Sequence, residues 1–492
     1  MLSGNFNKMI IFNKPQIMFG PLQKNISLPL RKRYVTNTIV FSLLVFQADS
    51  QVLTLKDAVS TAIENYGTIK AKSDYVKASQ VLVKESSDQH LPEFSLGLQN
   101  VYGTANGVFG PAYPGKVLGA SSSGPFFLEQ NWNSAFGALY LANVNWDVFT
   151  FGKVRESVKV AKAQVMRETQ NLEQEKFQHE IRVAGAYLNL LAAQRLRISQ
   201  QKNLDRANEI RSVVVARTKN GLIAGVDSSL ANAEVSNAKI ALTNALDVEK
   251  EQASRLAQLM GVPNREFNLD TLFLNRLPAS LFDSTAQASE HPVLKYFQSR
   301  IDVSRQQEIS FDRLKFPVVS LFGVIQSRGT GFGESYSALN PKDYNHDYWS
   351  GIKPARSNYV VGVGIFWNLV NPIKVAHQVA AQQFTSQGLK NEYEVVSQQL
   401  QSQQILADEK IKHALSNYQE APVQIKAASD AYLQKTVMYT NGLANIVDIT
   451  QALYTLNRAE TDREIANNNV WQALLYKAAA SGDFTLFVNE FQ

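Results

Sequence analysis

From Lys153 to Lys219 the chain contains no Pro and a single Gly, Gly185, and apolar residues recur every three or four positions: Val154, Val158, Ala161, Val165, Leu172, Phe177, Ile181, Ala184, Leu188, Leu191. That spacing predicts an amphipathic helix of roughly 65 residues, about 100 Å at 1.5 Å per residue. After Asn220-Gly221 a second helical stretch runs from Asp227 to Met260 and stops at Gly261-Val262-Pro263. The second half repeats the pattern over 374–439, a turn at Asn441-Gly442, and 447–480. Helices this long do not fold up inside a compact core, so they are expected side by side as antiparallel coiled coils. Ala lies between the larger apolar residues, while Gln, Asn, Lys and Glu crowd 164–180 and 387–413. A narrow seam flanked by polar residues suits close packing with one face in water.

Between the helices the period changes from 3.6 to two. Tyr140, Ala142, Val144, Trp146 and Val148 alternate with Leu141, Asn143, Asn145 and Asp147; Tyr359, Val361, Val363, Ile365, Trp367 and Leu369 alternate with Gly362, Gly364, Phe366 and Asn368. Phe94, Leu96 and Leu98 alternate with Ser95, Gly97 and Gln99, and 318–326 forms a less polar partner. One apolar face and one small or polar face over about 10 residues is the pattern of a membrane β-strand. An ordinary soluble hairpin pair shares it. Tyr102, Trp146 and Trp367, at strand ends, are expected at the water–lipid boundary. The strands bracket two long loops, 104–133 and 327–358, rich in Gly, Ser, Pro and aromatics, which suit one rim of a barrel.

The two halves are copies of one plan. Trp146, Gly221, Asp227 and Gly261 recur 221 residues later as Trp367, Gly442, Asp448 and Gly482. Leu91-Pro92 and Gly67 recur 225 residues later as Phe316-Pro317 and Pro292. A repeat this long is a duplicated architecture, not a solenoid array. The expected organisation is an N-terminal extension with signal over 1–50, a first repeat 51–261, a linker 262–288, a second repeat 289–482 and a tail 483–492. Glycine is expected at both turns because a tight link between antiparallel helices needs a left-handed residue.

Composition narrows the function. The net charge of +6 suggests nucleic acid, but six of the 49 Lys and Arg and one of the 43 acids lie in residues 1–50. The rest is close to neutral, with no basic field for phosphates. Arg31-Lys32-Arg33, the apolar run 39–46 and Ala48-Asp49-Ser50 read as a secretory signal with a mature start near Gln51. A single membrane anchor is the alternative, and the run is short for one. Cysteine is absent, which excludes disulfides, a lipidated Cys and thiolate metal sites. Glu175/His179 and Glu409/His413 have i, i+4 spacing, but such pairs on polar helix faces are expected to be solvated, and no metal or other cofactor is expected. No nucleophile motif, phosphate loop or dinucleotide fingerprint is present, so the protein is not expected to be an enzyme.

Helix, strand, long loop, strand, very long helix, Gly turn, helix, twice over, resembles the TolC-like family of outer-membrane efflux and secretion ducts. The residues carrying the resemblance are Leu53-Thr54-Leu55 with Ala58, Val59, Ala62 and Asn65, then Phe151-Gly152-Lys153-Val154, and the two Asn-Gly-Leu-x-x-x-Val-Asp turns. Gly67 stands where the family usually has Pro, while Pro292 fills the equivalent place in the second half. The resemblance implies a mainly α fold with four membrane strands per chain, and a homotrimer closing a twelve-stranded barrel in outer-membrane lipid above a periplasmic helical tube. It further implies a passive duct fed by an inner-membrane pump through a periplasmic adaptor, with the turns at the far tip. There Gly221 and Gly442 would make the turns, Leu222 and Leu443 would be apolar knobs for the adaptor, and Asp227 and Asp448 would cap the following helices. Small toxic compounds are the expected cargo; a protein-secretion duct, or a coiled-coil envelope protein without a pore, are the alternatives.

Overall fold

The computed structural model describes residues 52–107, 124–271, 276–279, 281 and 290–491. The signal expected over 1–50 lies outside the described residues. The first repeat comprises α1 (Leu55–Asn65), α2 (Gly67–Asp88), β1 (Glu93–Thr104), β2 (Ser134–Phe149), α3 (Lys153–Lys219) and α4 (Gly225–Met260). The second comprises α5 (Pro292–Asp312), β3 (Val318–Thr330), α6 (Tyr348–Ile352), β4 (Arg356–Phe366), α7 (Asn371–Thr440) and α8 (Ile446–Ser481), and α9 (Thr485–Val488) follows. The four long helices fall within three residues of the ends that periodicity gives. No described helix is long and apolar enough to cross a membrane.

Three expectations need correction. The fourth strand ends at Phe366, so Trp367 lies just beyond it and not within it. The Asn368 side chain accepts from Val370 N at 3.0 Å and turns the chain toward Pro372 at the start of α7. The second long loop is not free of regular structure, because Asp347 caps α6 by accepting from Ser350 N at 2.8 Å. Finally, the first helix breaks at Tyr66 into α1 and α2.

The four strands form one antiparallel sheet in the order β1-β2-β3-β4. Helices pack in matching order. On the strand side of the molecule α3 lies against α2 and α5, and α5 against α7; toward the turns α3 lies against α4 and α8, and α8 against α7. Each layer therefore has two open ends: β1 and β4, α2 and α7, α4 and α7. Large apolar residues stay exposed on the outer helices, including Tyr75 on α2, Ile240 on α4, and Phe384 and Ile405 on α7.

The main core gathers where the two repeats meet. Tyr187, Leu188, Leu190 and Leu191 of α3 pack with Leu256 and Met260 of α4, Trp471 and Leu474 of α8, and Leu55 and Ala58 of α1. Linker and tail join it: Leu269 makes a parallel bridge with Leu53, and Phe267, Leu281, Phe484 and Phe487 are buried. The Tyr187 hydroxyl donates to Leu53 O at 2.8 Å and accepts from Asp270 N at 3.0 Å, so even this buried polar group is satisfied. Nearer the turns, Ala231, Val235 and Ala238 of α4 and Ile446, Ile449 and Leu453 of α8 repeat at three and four, the seam of a coiled coil.

Candidate functional site

The two helix turns are built alike. Gly221 and Gly442 have φ of 71° and 78°, in the left-handed region where a side chain is strained. Leu222 N donates to Arg217 O at 2.9 Å and Gly221 N to Thr218 O at 3.0 Å; in the second turn Leu443 N donates to Met438 O and Gly442 N to Tyr439 O. This paired pattern satisfies the last carbonyls of α3 and α7 and turns the next side chain outward. Leu222 is 67% exposed and Leu443 73%, and Val226 and Val447 stand exposed beside them.

Neither aspartate is the N-cap of its helix, and only Asp448 takes part in a cap. Asn445 is the N-cap of α8: its side chain accepts from Asp448 N at 2.9 Å, and Asp448 answers from the third helical position by accepting from Asn445 N. Asp227 occupies the same third position in α4, but Ala224 stands where Asn445 stands and provides no cap. Asp227 thus contributes only its charge at the positive end of α4. Asn445→Ala is expected to cost about 1 kcal/mol, and Ala224→Asn to add a similar amount, read as opposite shifts in urea midpoint.

One residue that the pattern does not reveal links the turns. Arg217, in the last turn of α3, donates to Tyr439 O at 2.6 Å and Thr440 O at 3.4 Å and sits 5.4 Å from the Tyr439 ring centroid. A cation on the carbonyl end of α7 is favoured by the helix dipole.

At the other end of the long helices stands the sheet. Cross-strand partners share a face. Phe94, Leu96 and Leu98 pair with Val144, Ala142 and Tyr140; Ala142 and Trp146 pair with Ile325 and Leu321; these pair with Tyr359 and Val363. All lie on one face, and Leu96 is 89% exposed. The opposite face holds Ser95, Gln99, Asn143, Asn145, Gln326 and Asn358. A side open to solvent and covered in large apolar groups is the band a lipid-facing sheet requires.

The two repeat tryptophans do one job. Trp146 Nε1 donates to His90 O at 2.8 Å and Trp367 Nε1 to Lys315 O at 3.0 Å. His90 and Lys315 are themselves 225 residues apart and follow α2 and α5, so each indole ties a sheet margin to the end of the helix entering it. Between β2 and α3, Phe151 and Gly152 both have positive φ, and the Phe151 ring packs on Phe149 and Phe316. At the loop end Tyr102 lies near His346, with its hydroxyl 3.3 Å from Nδ1, and Asn100 donates to the Tyr348 hydroxyl at 2.9 Å. The loops hold each other: Asn131 Nδ2 donates to the Tyr336 hydroxyl and Asn133 Nδ2 to Pro341 O, both at 2.7 Å.

The Glu175/His179 pair is engaged, with His179 buried and Glu175 half-buried, contrary to the solvated state expected. His179 is fully buried, stacks on Tyr66 at 3.8 Å and bonds Leu259 O through Nε2 at 2.9 Å. Glu175 is held by Lys72 and Arg182 at 3.0 and 2.6 Å. His291 occupies the position of Tyr66 in the second repeat: its Nδ1 accepts from Val293 N at 3.1 Å and its Nε2 donates to Ala479 O at 3.1 Å. The His291 ring is thus neutral, and burial holds both histidines below the ordinary value of 6.5, with Arg182 adding to the effect at His179. Such groups favour the fold above 6.5, and the unfolded chain takes up more protons as pH falls through it. Thermal stability is expected to drop as pH falls below about 6.5, with a shallower slope in His291→Asn, measured by melting at fixed salt. Glu409/His413, at 3.9 Å, lies exposed as expected.

With an apolar-faced sheet at one end and paired turns at the other, the architecture is that of TolC-like outer-membrane channels. Residues 58–262 match the family model described as outer membrane efflux protein. No curated relative matches at the level of sequence. Among solved structures the chain is similar to the outer membrane protein VceC of Vibrio cholerae, at 16% identity and a TM-score of 0.66 over 87% of this chain and 96% of that one. The outer-membrane channel CmeC of Campylobacter jejuni is similar at 13% identity and 0.68, over 87% and 85%. The open state of the Neisseria gonorrhoeae channel MtrE is similar at 16% and 0.64, over 87% and 89%. At these identities the structural likeness speaks for the fold.

Proposed function

We propose that this protein is the outer-membrane duct of a tripartite efflux system, passively conducting small toxic compounds delivered by an inner-membrane pump through a periplasmic adaptor. The observation that carries the reading is the matched set of open edges. A four-stranded sheet in lipid leaves the N–H and C=O groups of β1 and β4 unpaired, at several kcal/mol each. Three copies placing β1 against a neighbour's β4 give twelve strands and a barrel wide enough for water. The same threefold closure brings α2 and α4 against a neighbour's α7 and covers the apolar residues exposed there. The sheet then lies in the outer membrane and the paired helices extend into the periplasm, with Leu222, Val226, Leu443 and Val447 at the far end as the adaptor's contact.

No step of this function needs covalent chemistry; conduction and its control come from helix arrangement. The test is single-channel recording of purified protein in planar bilayers. Stepwise conductance of uniform size is expected. Protein that partitions to the bilayer without conducting would favour a coiled-coil envelope protein without a pore.

A further inference from the structure

The sheet carries a charge pattern that the duct reading leaves unused. Each of the four strands holds one charged residue: Glu93 in β1, Asp147 in β2, Arg328 in β3 and Arg356 in β4. Glu93 pairs in register with Asn145, Asp147 with Ser320, and Arg328 with both Leu139 and Arg356. All four therefore stand on the polar face, away from the apolar band. They are also sorted by height. The acids lie at the helix end of the sheet and the arginines at the loop end.

Arg328 and Arg356 face each other directly, an arrangement that repels and destabilises an antiparallel pair unless something neutralises it. Glu334 of the second loop bonds Arg356 at 2.7 Å, but both side chains are exposed, so the pair contributes little. Arg328 is exposed and its guanidinium has no ion-pair partner among the described residues. Their face also decides what they meet: arginines on the apolar face would meet lipid phosphates, whereas these look into water.

We propose that Arg328 and Arg356 form an anion-binding girdle at the outer mouth of the channel, taking polyvalent anions from the lumen. The proposal rests on the trimer, in which two arginines per chain make a ring of six. Strands about 4.8 Å apart and tilted about 40° put the twelve-stranded wall roughly 12 Å from the axis. Guanidinium groups project inward from it. At physiological salt the screening length is about 8 Å, so the ring's field reaches well into the pore; at 1 M salt it is about 3 Å and the field is confined to the wall. Planar guanidinium forks suit phosphate oxygens, which makes a short polyphosphate the sharpest probe.

The experiment is block of single-channel current by inorganic tripolyphosphate added to one side of a bilayer. Block is expected from the loop side at low salt, weaker from the helix side, and lost at 1 M salt. Losing one or more charge-assisted hydrogen bonds in Arg328→Gln/Arg356→Gln should weaken it about tenfold or more. Glu334→Gln, which frees Arg356, should strengthen it. A double variant that conducts normally and is blocked as well as the parent would overturn the girdle while leaving the duct intact. Absence of any conducting pore would remove the duct reading, and the girdle with it.

Discussion

Replacing Leu222 and Leu443 together by Asp is expected to abolish export while the assembled channel keeps its stability. Both side chains leave their turns toward solvent, 67% and 73% exposed. The turn hydrogen bonds run through backbone N–H groups, which the substitution keeps. The folded chain therefore loses almost nothing, since exposed substitutions away from packed features stay within about 0.5 kcal/mol. A docked partner loses far more. Burying a leucine is worth about 1.5–3 kcal/mol, and in the proposed trimer each chain would offer two. Aspartate removes that gain and adds the cost of desolvating a charge at the contact. The check is accumulation of a fluorescent efflux substrate in cells carrying the variant, with the protein assayed for assembly in parallel. Unchanged export with intact assembly would remove the turns as the adaptor's contact.

The second large effect separates the two faces of the sheet. Leu96→Arg is expected to destabilise the membrane-inserted protein by about 2–4 kcal/mol, the cost of a cation near the middle of the lipid-facing band. Val324→Arg, on the opposite face between Asn143 and Val360, is expected to cost little because its charge reaches water. The two substitutions add the same side chain at similar depth, so only the face differs. Denaturant titration of protein folded into lipid vesicles reads both. Equal penalties would mean that lipid does not lie on the apolar face alone.

How much of this is legible in the sequence depends on the range of the interaction that decides each feature. The long helices and both turns follow from local rules: apolar spacing, missing Pro, and Gly where φ is positive. Pro422 lies inside α7 without ending it, a position that propensity disfavours, and Ala421 and Ala428 near it are buried. The faces of the sheet follow from strict alternation, and the register confirms them. What period and propensity miss are contacts between distant segments. Asn445 caps α8 while its counterpart Ala224 caps nothing, although the two turns look alike. Arg217 reads as a solvated helix-end cation until the fold brings Tyr439 to it. His179 has the spacing of a surface metal pair, yet the break at Tyr66 lays an aromatic ring over it and the end of α4 takes its N–H. The repeat nevertheless carried a signal for part of this. Tyr66 and His291 share one position, as do Trp146 and Trp367, and aligning the halves marks both as junction residues.

Ring closure is the central claim, since one chain provides neither a barrel nor a pore. The protein mass of the detergent-solubilised particle, measured by light scattering with the detergent contribution subtracted, tests it most directly. Three chains per particle is the expected result. A single chain that stays dispersed in buffer without detergent would contradict the closed barrel, and the duct with it.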